Sequence, residues 1–222
     1  MASIISKLVI AASFVLSSTA TAESNSTIGI ESQYGAESSP VFQMGTPTFF
    51  GSGCPANSVR VITASDGQSV SVLFSDYLAT TTSRRKRVRK SCNLAVPVDV
   101  KRGVSLGVFR VDYRGYSYVP EGDRRSYSKF DAEYYFAGKE GPKVSRKYRA
   151  GTDKDLFISN KLAVGAVTWS PCGASTNFRI NTAITAFKKN AADEDVEIAI
   201  DSADATVEES QYFKYYFTWR KC

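Results

Sequence analysis

The chain has 222 residues, of which 43% are hydrophobic and 23% are charged, and its formal net charge is +6. This composition is typical of a soluble globular protein and argues against general disorder. The chain contains no histidine, which excludes Ser-His-Asp and Cys-His nucleophile pairs, histidine-ligated zinc and a histidine pH switch.

The first 22 residues have the three parts of a secretory signal peptide. Lys7 supplies the positive charge, residues 8–16 are apolar, and Ala20 and Ala22 form a small-residue cleavage site before Glu23. A membrane anchor is the alternative, but this apolar run is far shorter than the roughly twenty residues that a spanning helix needs. Residues 1–22 are therefore predicted to be a signal peptide, and the protein is expected to be secreted, or periplasmic in a Gram-negative host, without a membrane span.

The four cysteines all lie beyond the predicted signal peptide. An even number in an exported chain indicates two disulfides, with three possible pairings. We favour Cys54–Cys92 and Cys172–Cys222, because each pair closes a loop of moderate size within one half of the chain and the second pair ties down the last residue. A metal site is disfavoured, since the chain has neither a CxxC pair nor a histidine, and no cofactor is expected.

The rest of the chain has the pattern of short strands. Residues 23–50 are rich in Ser, Thr and Gly and are predicted to be a flexible lead-in with one short strand at residues 48–50. From residue 51 onward, runs of alternating apolar and polar residues are separated by turn signals such as Asp66-Gly67 and Arg102-Gly103. No window shows the spacing of an amphipathic helix, so residues 51–222 are predicted to form one all-β domain, a β-sandwich or a jelly roll. The predicted strands cover residues 59–62, 70–74, 94–100, 106–113, 134–137, 162–169, 178–184, 196–200 and 213–219.

The last predicted strand has one fully aromatic face. Phe213, Tyr215, Phe217 and Trp219 occupy alternate positions, and alternate side chains point to the same side of a strand. We therefore predict that this face belongs to the core.

A run of six cations in seven residues is the most conspicuous local feature. Such a run attracts anionic polymers or surfaces, but it could also be a solvated loop between two strands, or a dibasic processing site in a eukaryotic host. Nucleic acid is the least expected partner, because the protein leaves the cell interior. The candidate binding residues of this run are Arg84, Arg85, Lys86, Arg87, Arg89 and Lys90.

Tyrosines close to an arginine form a second candidate binding feature. Tyr116 and Tyr118 follow Arg114, and exposed tyrosines of this kind can stack on sugar rings or peptide side chains. The alternative is structural, with Tyr113 and Tyr116 at the edge of the core and Asp112 paired with Arg114.

Acidic residues offer two further possibilities. Asp112, Asp131 and Glu133 could supply the carboxylate pair of a glycoside hydrolase, which needs no histidine. Residues 193–195 and 201–204 could ligate calcium, but they lack EF-hand spacing and are better explained as solvated acidic loops.

Seven sequence blocks, four of which contain a cysteine, resemble a known family. They are GSGCP at 51–55, LFSDY at 73–77, RKSCNL at 89–94, VDYRGY at 111–116, YYFAG at 134–138, WSPCG at 169–173 and WRKC at 219–222. The chain is similar through them to the secreted proteins catalogued as domain of unknown function 4360, over about residues 50–222. The resemblance implies export, one domain and the cysteine framework, and it brings no activity or site residue with it.

These observations favour a secreted protein that binds without catalysis. The expected partners are anionic or carbohydrate components of a cell surface or wall, met by the basic run and the exposed tyrosines. A glycan-cleaving enzyme with paired carboxylates and a structural envelope or matrix protein are the alternatives, and the oligomeric state is left open.

Overall fold

The computed structural model describes residues 41–63, 69–161, 167–190, 193–200 and 213–222. Every element in this part of the chain is a strand, which confirms the predicted all-β class. The predicted signal peptide, the lead-in up to residue 40, the Asp66-Gly67 turn and the acidic residues 201–204 lie outside the described residues. The strands are β1 Phe42–Met44, β2 Thr48–Phe50, β3 Val59–Thr63, β4 Ser69–Phe74, β5 Leu78–Thr80, β6 Arg87–Val100, β7 Val104–Val119, β8 Tyr127–Phe136, β9 Lys143–Arg149, β10 Thr152–Lys161, β11 Thr176–Phe187, β12 Glu197–Ile200 and β13 Phe213–Lys221.

The strands form two antiparallel sheets. The first sheet has the order β1-β6-β11-β8-β9, with β2 also paired to β6, and the second has the order β3-β4-β13-β7-β12-β5, with β10 also paired to β7. Gly103 adopts a positive φ of 76° between β6 and β7, at the predicted Arg102-Gly103 break, and the chain passes there from the first sheet to the second. Strands β9 and β10 are each paired on one side only and so form edges of their sheets.

Strict alternation along the long strands produces the core. On β6, Leu94, Val96 and Val98 are 4% exposed or less, while the residues between them face away from the core. Phe178, Ile180 and Ile184 of β11 face the same core, whereas the three residues 198–200 of β12 are all buried. The two inner faces share one hydrophobic cluster, which makes the fold a β-sandwich.

Polar contacts also join the two sheets inside this core. The Tyr77 hydroxyl donates to Thr182 Oγ1 over 2.9 Å, and the hydroxyls of Tyr113 and Tyr134 are hydrogen-bonded to each other. Because these groups are buried, satisfying them here is a condition of packing the sheets face to face.

The sandwich begins before residue 51, the boundary expected from the sequence. Strand β2 lies at the predicted residues 48–50, and β1 lies within the predicted lead-in; both pair with β6. Phe42, Met44 and Phe49 pack against the core, so this part of the lead-in is held by burial of its apolar side chains. Its Ser-, Thr- and Gly-rich neighbours conceal that pattern in the sequence.

The aromatic face of β13 is confirmed as core at Phe217 and not at Trp219. Phe217 is 8% exposed and packs on Phe42 and Phe178, whereas Trp219 is 50% exposed. The side chains of Phe213 and Tyr215 lie outside the described ones. The described end of the predicted strand 162–169 is a single bridge, between Trp169 and Gly107.

Both predicted disulfides are present. Cys54–Cys92 spans a sequence separation of 38 residues and Cys172–Cys222 one of 50. The first is buried beside the β6 core residues, and the second joins the exposed C-terminal residue to the turn that precedes β11. In the chain-entropy description, each loop contributes about 4 kcal/mol by restricting the unfolded chain.

Candidate binding surface on the first sheet

The basic run straddles the start of β6. Arg84, Arg85 and Lys86 are exposed in the connection from β5, which is closed by backbone hydrogen bonds between Thr82 and Arg85. The remaining basic residues belong to β6, so the run is only partly the loop that the sequence suggested.

Within β6 the basic side chains divide between the two faces. Arg87 and Arg89 are exposed and alternate with the core residues, so they lie on the outer face of the first sheet. Lys90 shares the inward parity of Cys92 and is partly buried, which separates it from the two arginines.

Strand register brings three more cations beside these arginines. Reading across β6, β11, β8 and β9, one row contains Arg87, Phe187, Tyr127 and Arg149. The next row on the same face contains Arg89, Thr185, Lys129 and Lys147. Neighbouring side chains in such rows lie about 5 Å apart. We call the five basic residues of these rows the cationic band: Arg87, Arg89, Lys129, Lys147 and Arg149.

An aromatic pair lies inside the cationic band. The rings of Tyr127 and Phe187 have centroids 5.1 Å apart. The ammonium of Lys147 lies 3.8 Å from the centre of the Tyr127 ring, a cation–π distance. The band therefore offers both positive charge and apolar ring surface at one end of the sheet.

Acidic side chains neutralise little of this charge. Lys129 Nζ lies 2.8 Å from Asp131 Oδ1. Among the described residues, the other four members of the band form no ion pair with a carboxylate. Their charges are thus available to an anionic partner.

A shallow polar depression of about 470 Å³ continues from the band along the same face. Lys143 Nζ lies 3.3 Å from Glu133 Oε1, and the Asn181 amide donates to the Tyr135 hydroxyl over 3.2 Å. The depression thus presents amide, carboxylate and ammonium groups that can exchange hydrogen bonds with a ligand. Its main polar lining residues are Arg89, Asn93, Asp131, Glu133, Lys143 and Asn181.

Tyr116 and Tyr118 lie on the opposite outer face of the sandwich, so the basic run and the tyrosines do not form the single site that the sequence suggested. Strand β7 runs on to Val119, and both tyrosines face outward from the second sheet. Tyr116 donates to Asp153 Oδ1 over 2.6 Å and Tyr118 to Glu194 Oε2 over 3.1 Å. The hydrogen bond to Asp153 raises the pKa of Tyr116 to about 12, so its hydroxyl stays a donor well above the pH at which a free tyrosine ionises.

The structural alternative for this segment is correct in one part. Tyr113 is fully buried in the core, but Tyr116 is not in the core. Asp112 pairs with Arg110, at 2.7 Å, and not with Arg114. The Arg114 guanidinium lies instead over the exposed Phe157 ring, 5.3 Å from its centre.

The acidic candidates are also separated by the fold. Asp112 belongs to the second sheet, whereas Asp131 and Glu133 lie two residues apart on the outer face of β8. The acidic residues 193–195 hold the buried Lys188, whose ammonium donates to Asp193 O over 2.8 Å and to Asp195 Oδ1 over 2.7 Å. Within the described ranges, no group of three acidic or cysteine side chains is arranged to hold a metal ion.

Sequence reasoning did not identify Lys129, Lys147 and Arg149 as neighbours of the basic run. The available signal was in β9, where Lys143, Ser145, Lys147 and Arg149 alternate with Val144 and Tyr148. That alternation indicates an edge strand with one polar face, but only the register shows which strand lies beside it.

The sequence is related to a fungal secreted protein. A protein of Arthroderma benhamiae, described as an uncharacterized secreted protein, is 28% identical over 180 residues, which are 79% of this chain and 69% of that protein. Secretion of this relative agrees with the two disulfides of this chain, because disulfides form in oxidising compartments outside the cytosol. The protein is secreted.

A solved structure is similar in part. The structure of TmCBM61 in complex with β-1,4-galactotriose matches 79% of this chain and 90% of its own, with 13% identity and a TM-score of 0.29. At this level the similarity does not carry that protein's ligand over to this chain.

The part of the chain that the structure describes has no helix long and apolar enough to cross a membrane. The predicted family resemblance is confirmed over slightly more of the chain than the seven blocks cover. The chain belongs to the family described as domain of unknown function 4360, whose family model matches residues 42–222.

Proposed function

We propose that this secreted protein binds an anionic polysaccharide of a cell surface or wall on the outer face of its first sheet, without catalysis. The observation that carries the proposal is the cationic band, in which three of the four successive strands β6, β11, β8 and β9 place five cations on one face with a single ion-paired carboxylate.

Coulomb attraction gives the expected size of the effect. A carboxylate about 7 Å from one cation gains about 0.6 kcal/mol in water. Four available cations at that distance would contribute roughly 2 kcal/mol, or about thirtyfold in affinity, per anionic group. This contribution is largely screened at about 1 M salt, where the Debye length falls to about 3 Å.

The rest of the face suits an extended sugar chain. From Tyr127 to Tyr135, β8 spans about 27 Å at roughly 3.4 Å per residue, which is long enough for several sugar units. The Tyr127–Phe187 pair offers ring surface for stacking, and the polar depression offers partners for hydroxyl groups.

The test is co-sedimentation of the mature protein with an insoluble polyuronate and with the same polymer after methyl esterification. The band variant Arg87→Gln/Arg89→Gln removes two charges from the face. The matched control, Arg60→Gln/Arg102→Gln, removes two exposed charges elsewhere.

We expect the wild type and the control to bind the polyuronate at low salt, and the band variant to bind roughly fivefold more weakly, because it lacks two of the four available cations. If the band variant and the control lose the same amount of binding, the effect is one of net charge and not of the band. If the wild type binds neither the polyuronate nor its methyl ester, the proposal is overturned.

A glycan-cleaving enzyme is the second hypothesis, because Asp131 and Glu133 share the polar depression. Each is already ion-paired with a lysine. The same incubations test it: reducing ends released by the wild type and not by Glu133→Gln would establish hydrolysis and displace the binding proposal.

A further inference from the structure

A second cavity lies where the open edges of the two sheets meet. Strand β9 is an edge of the first sheet and β10 is an edge of the second. Between them is a cleft of about 390 Å³, lined by Lys143, Val144, Ser145 and Arg146 on one side and Ser159, Asn160 and Lys161 on the other. This edge cleft is distinct from the cationic band.

The floor of the edge cleft contains a buried amide with an unused acceptor. Asn160 is 4% exposed, and its Nδ2 donates to the Tyr134 hydroxyl over 3.1 Å. Asn160 Oδ1 is buried and has no hydrogen-bond partner among the described residues, and the same is true of Ser159 Oγ.

Unpaired buried acceptors are rare because burial removes their hydrogen bonds to water. The Asn160 amide is hydrogen-bonded to the Tyr113–Tyr134 pair inside the core, and in this arrangement its Oδ1 has no partner among the described residues. A donor that enters the cleft would satisfy it.

The rim of the cleft is cationic. Lys143, Arg146 and Lys161 are all exposed at its mouth. Lys143 forms an ion pair with Glu133. Within the described ranges, Arg146 and Lys161 form no ion pair. Arg146 makes one hydrogen bond, from Nη1 to the carbonyl oxygen of Ser145 over 3.3 Å, which leaves most of its donors for a ligand.

We propose that the edge cleft binds a hydroxy-carboxylate group, the chemistry of a uronic acid unit. A ligand hydroxyl donates to Asn160 Oδ1, and the neighbouring carboxylate is bound by Arg146 and Lys161. Arginine is suited to this role because its planar guanidinium can meet both carboxylate oxygens at once.

The cleft also adjoins the polar depression, since Lys143, Val144 and Ser145 line both. A sugar chain lying on the outer face could therefore place one unit over the β9 edge and into the cleft. This inference rests on the proposed function in its choice of an acidic sugar, but its residues are different ones.

The experiment is isothermal titration of the mature protein with trigalacturonate, its methyl ester and inorganic phosphate. Arg146→Gln is the principal variant, because the side chain is exposed. Asn160→Leu removes the acceptor, and thermal unfolding checks that it folds. Lys154→Gln, an exposed cation on β10 outside the cleft, is the matched control.

We expect trigalacturonate to bind the wild type and the Lys154→Gln control equally. It should bind Arg146→Gln at least tenfold more weakly, because losing one charge-assisted hydrogen bond has an effect of this size. The methyl ester should bind as weakly as trigalacturonate binds Arg146→Gln. Phosphate binding as tight as that of trigalacturonate would overturn the role of the hydroxyl, and unchanged binding by Arg146→Gln would overturn the site.

The band variant separates this inference from the proposed function. If Arg87→Gln/Arg89→Gln weakens polymer binding as expected while trigalacturonate binding still depends on Arg146, both proposals stand. If the polymer binds to the band but the affinity for trigalacturonate is unchanged by substitution of Arg146 and of Asn160, only the edge-cleft proposal fails. If trigalacturonate binding depends on Arg146 but binding of the polymer does not depend on the band, only the proposed function fails.

Discussion

Replacing Phe217 by alanine tests the packing of the two sheets. Phe217 is 8% exposed, and its ring lies 5.8 Å from Phe42 and 5.7 Å from Phe178, both in the first sheet. Removing a buried phenylalanine side chain costs about 3–5 kcal/mol in transfer and cavity energy. The expected loss is therefore about 4 kcal/mol, a large part of the roughly 5–15 kcal/mol that stabilises a typical domain.

The assay is equilibrium urea unfolding followed by circular dichroism, with both disulfides intact. The midpoint should fall while the denaturant slope is unchanged, and Tm should drop by roughly 8–16 °C for a domain of this size. Phe50→Ala is the matched control, because Phe50 is 59% exposed on β2, and it should cost less than about 1 kcal/mol. A cost below about 1 kcal/mol for Phe217→Ala, or equal costs for the two variants, would refute the assignment of this face to the core.

Three further predictions concern the disulfides, alkaline pH and one glycine. Mild reductant should open Cys172–Cys222 before Cys54–Cys92, because the first is exposed and the second is buried; alkylation followed by mass spectrometry measures the order. Burial raises the pKa of Tyr77 and Tyr134 above the usual value of 10.0, so the unfolded chain ionises first. The free energy of unfolding should therefore be constant up to about pH 10 and fall as the pH rises further, as urea unfolding between pH 8 and pH 11 would show. Gly115→Ala should destabilise the protein by about 2 kcal/mol or more, because its new Cβ would come within 2.1 Å of a backbone oxygen of β12.

Each of these has a specific contrary result. Simultaneous reduction of both disulfides would show that burial does not protect the buried one. An alkaline decline unchanged in Tyr77→Phe and Tyr134→Phe would assign it to other groups, such as lysines. A Gly115→Ala variant as stable as Gly122→Ala, where the added Cβ meets nothing within 4 Å, would show that β12 can move aside.

Several of the strands that the sequence predicts have one buried and one exposed face. β11 and the core half of β6 show this alternation clearly, because Phe178, Ile180, Leu94 and Val96 face the same interior. The predicted strands do not include β9 and β10. Many of their residues are charged and exposed, as is common at sheet edges, so the alternation in β9 is easily mistaken for a charged loop.

The candidate surface is predictable only in part for a related reason. The charge of residues 84–90 is visible in the sequence, but its neighbours Lys147 and Arg149 lie more than fifty residues further on. Their proximity depends on the pairing of β6 with β11, β11 with β8, and β8 with β9. A shift of one residue in any of these pairings would turn the cations toward the core.

The sequence by itself determined the class of the fold and the family, because alternation, turn residues and sequence motifs are local properties of the chain. It favoured one of three cysteine pairings, which the structure confirms. Only the tertiary structure decided that Tyr116 and Tyr118 lie on the face opposite Arg87 and Arg89, and that Asn160 faces the edge cleft. These relations are set by strand register and by the packing of the two sheets, which join residues far apart in the chain.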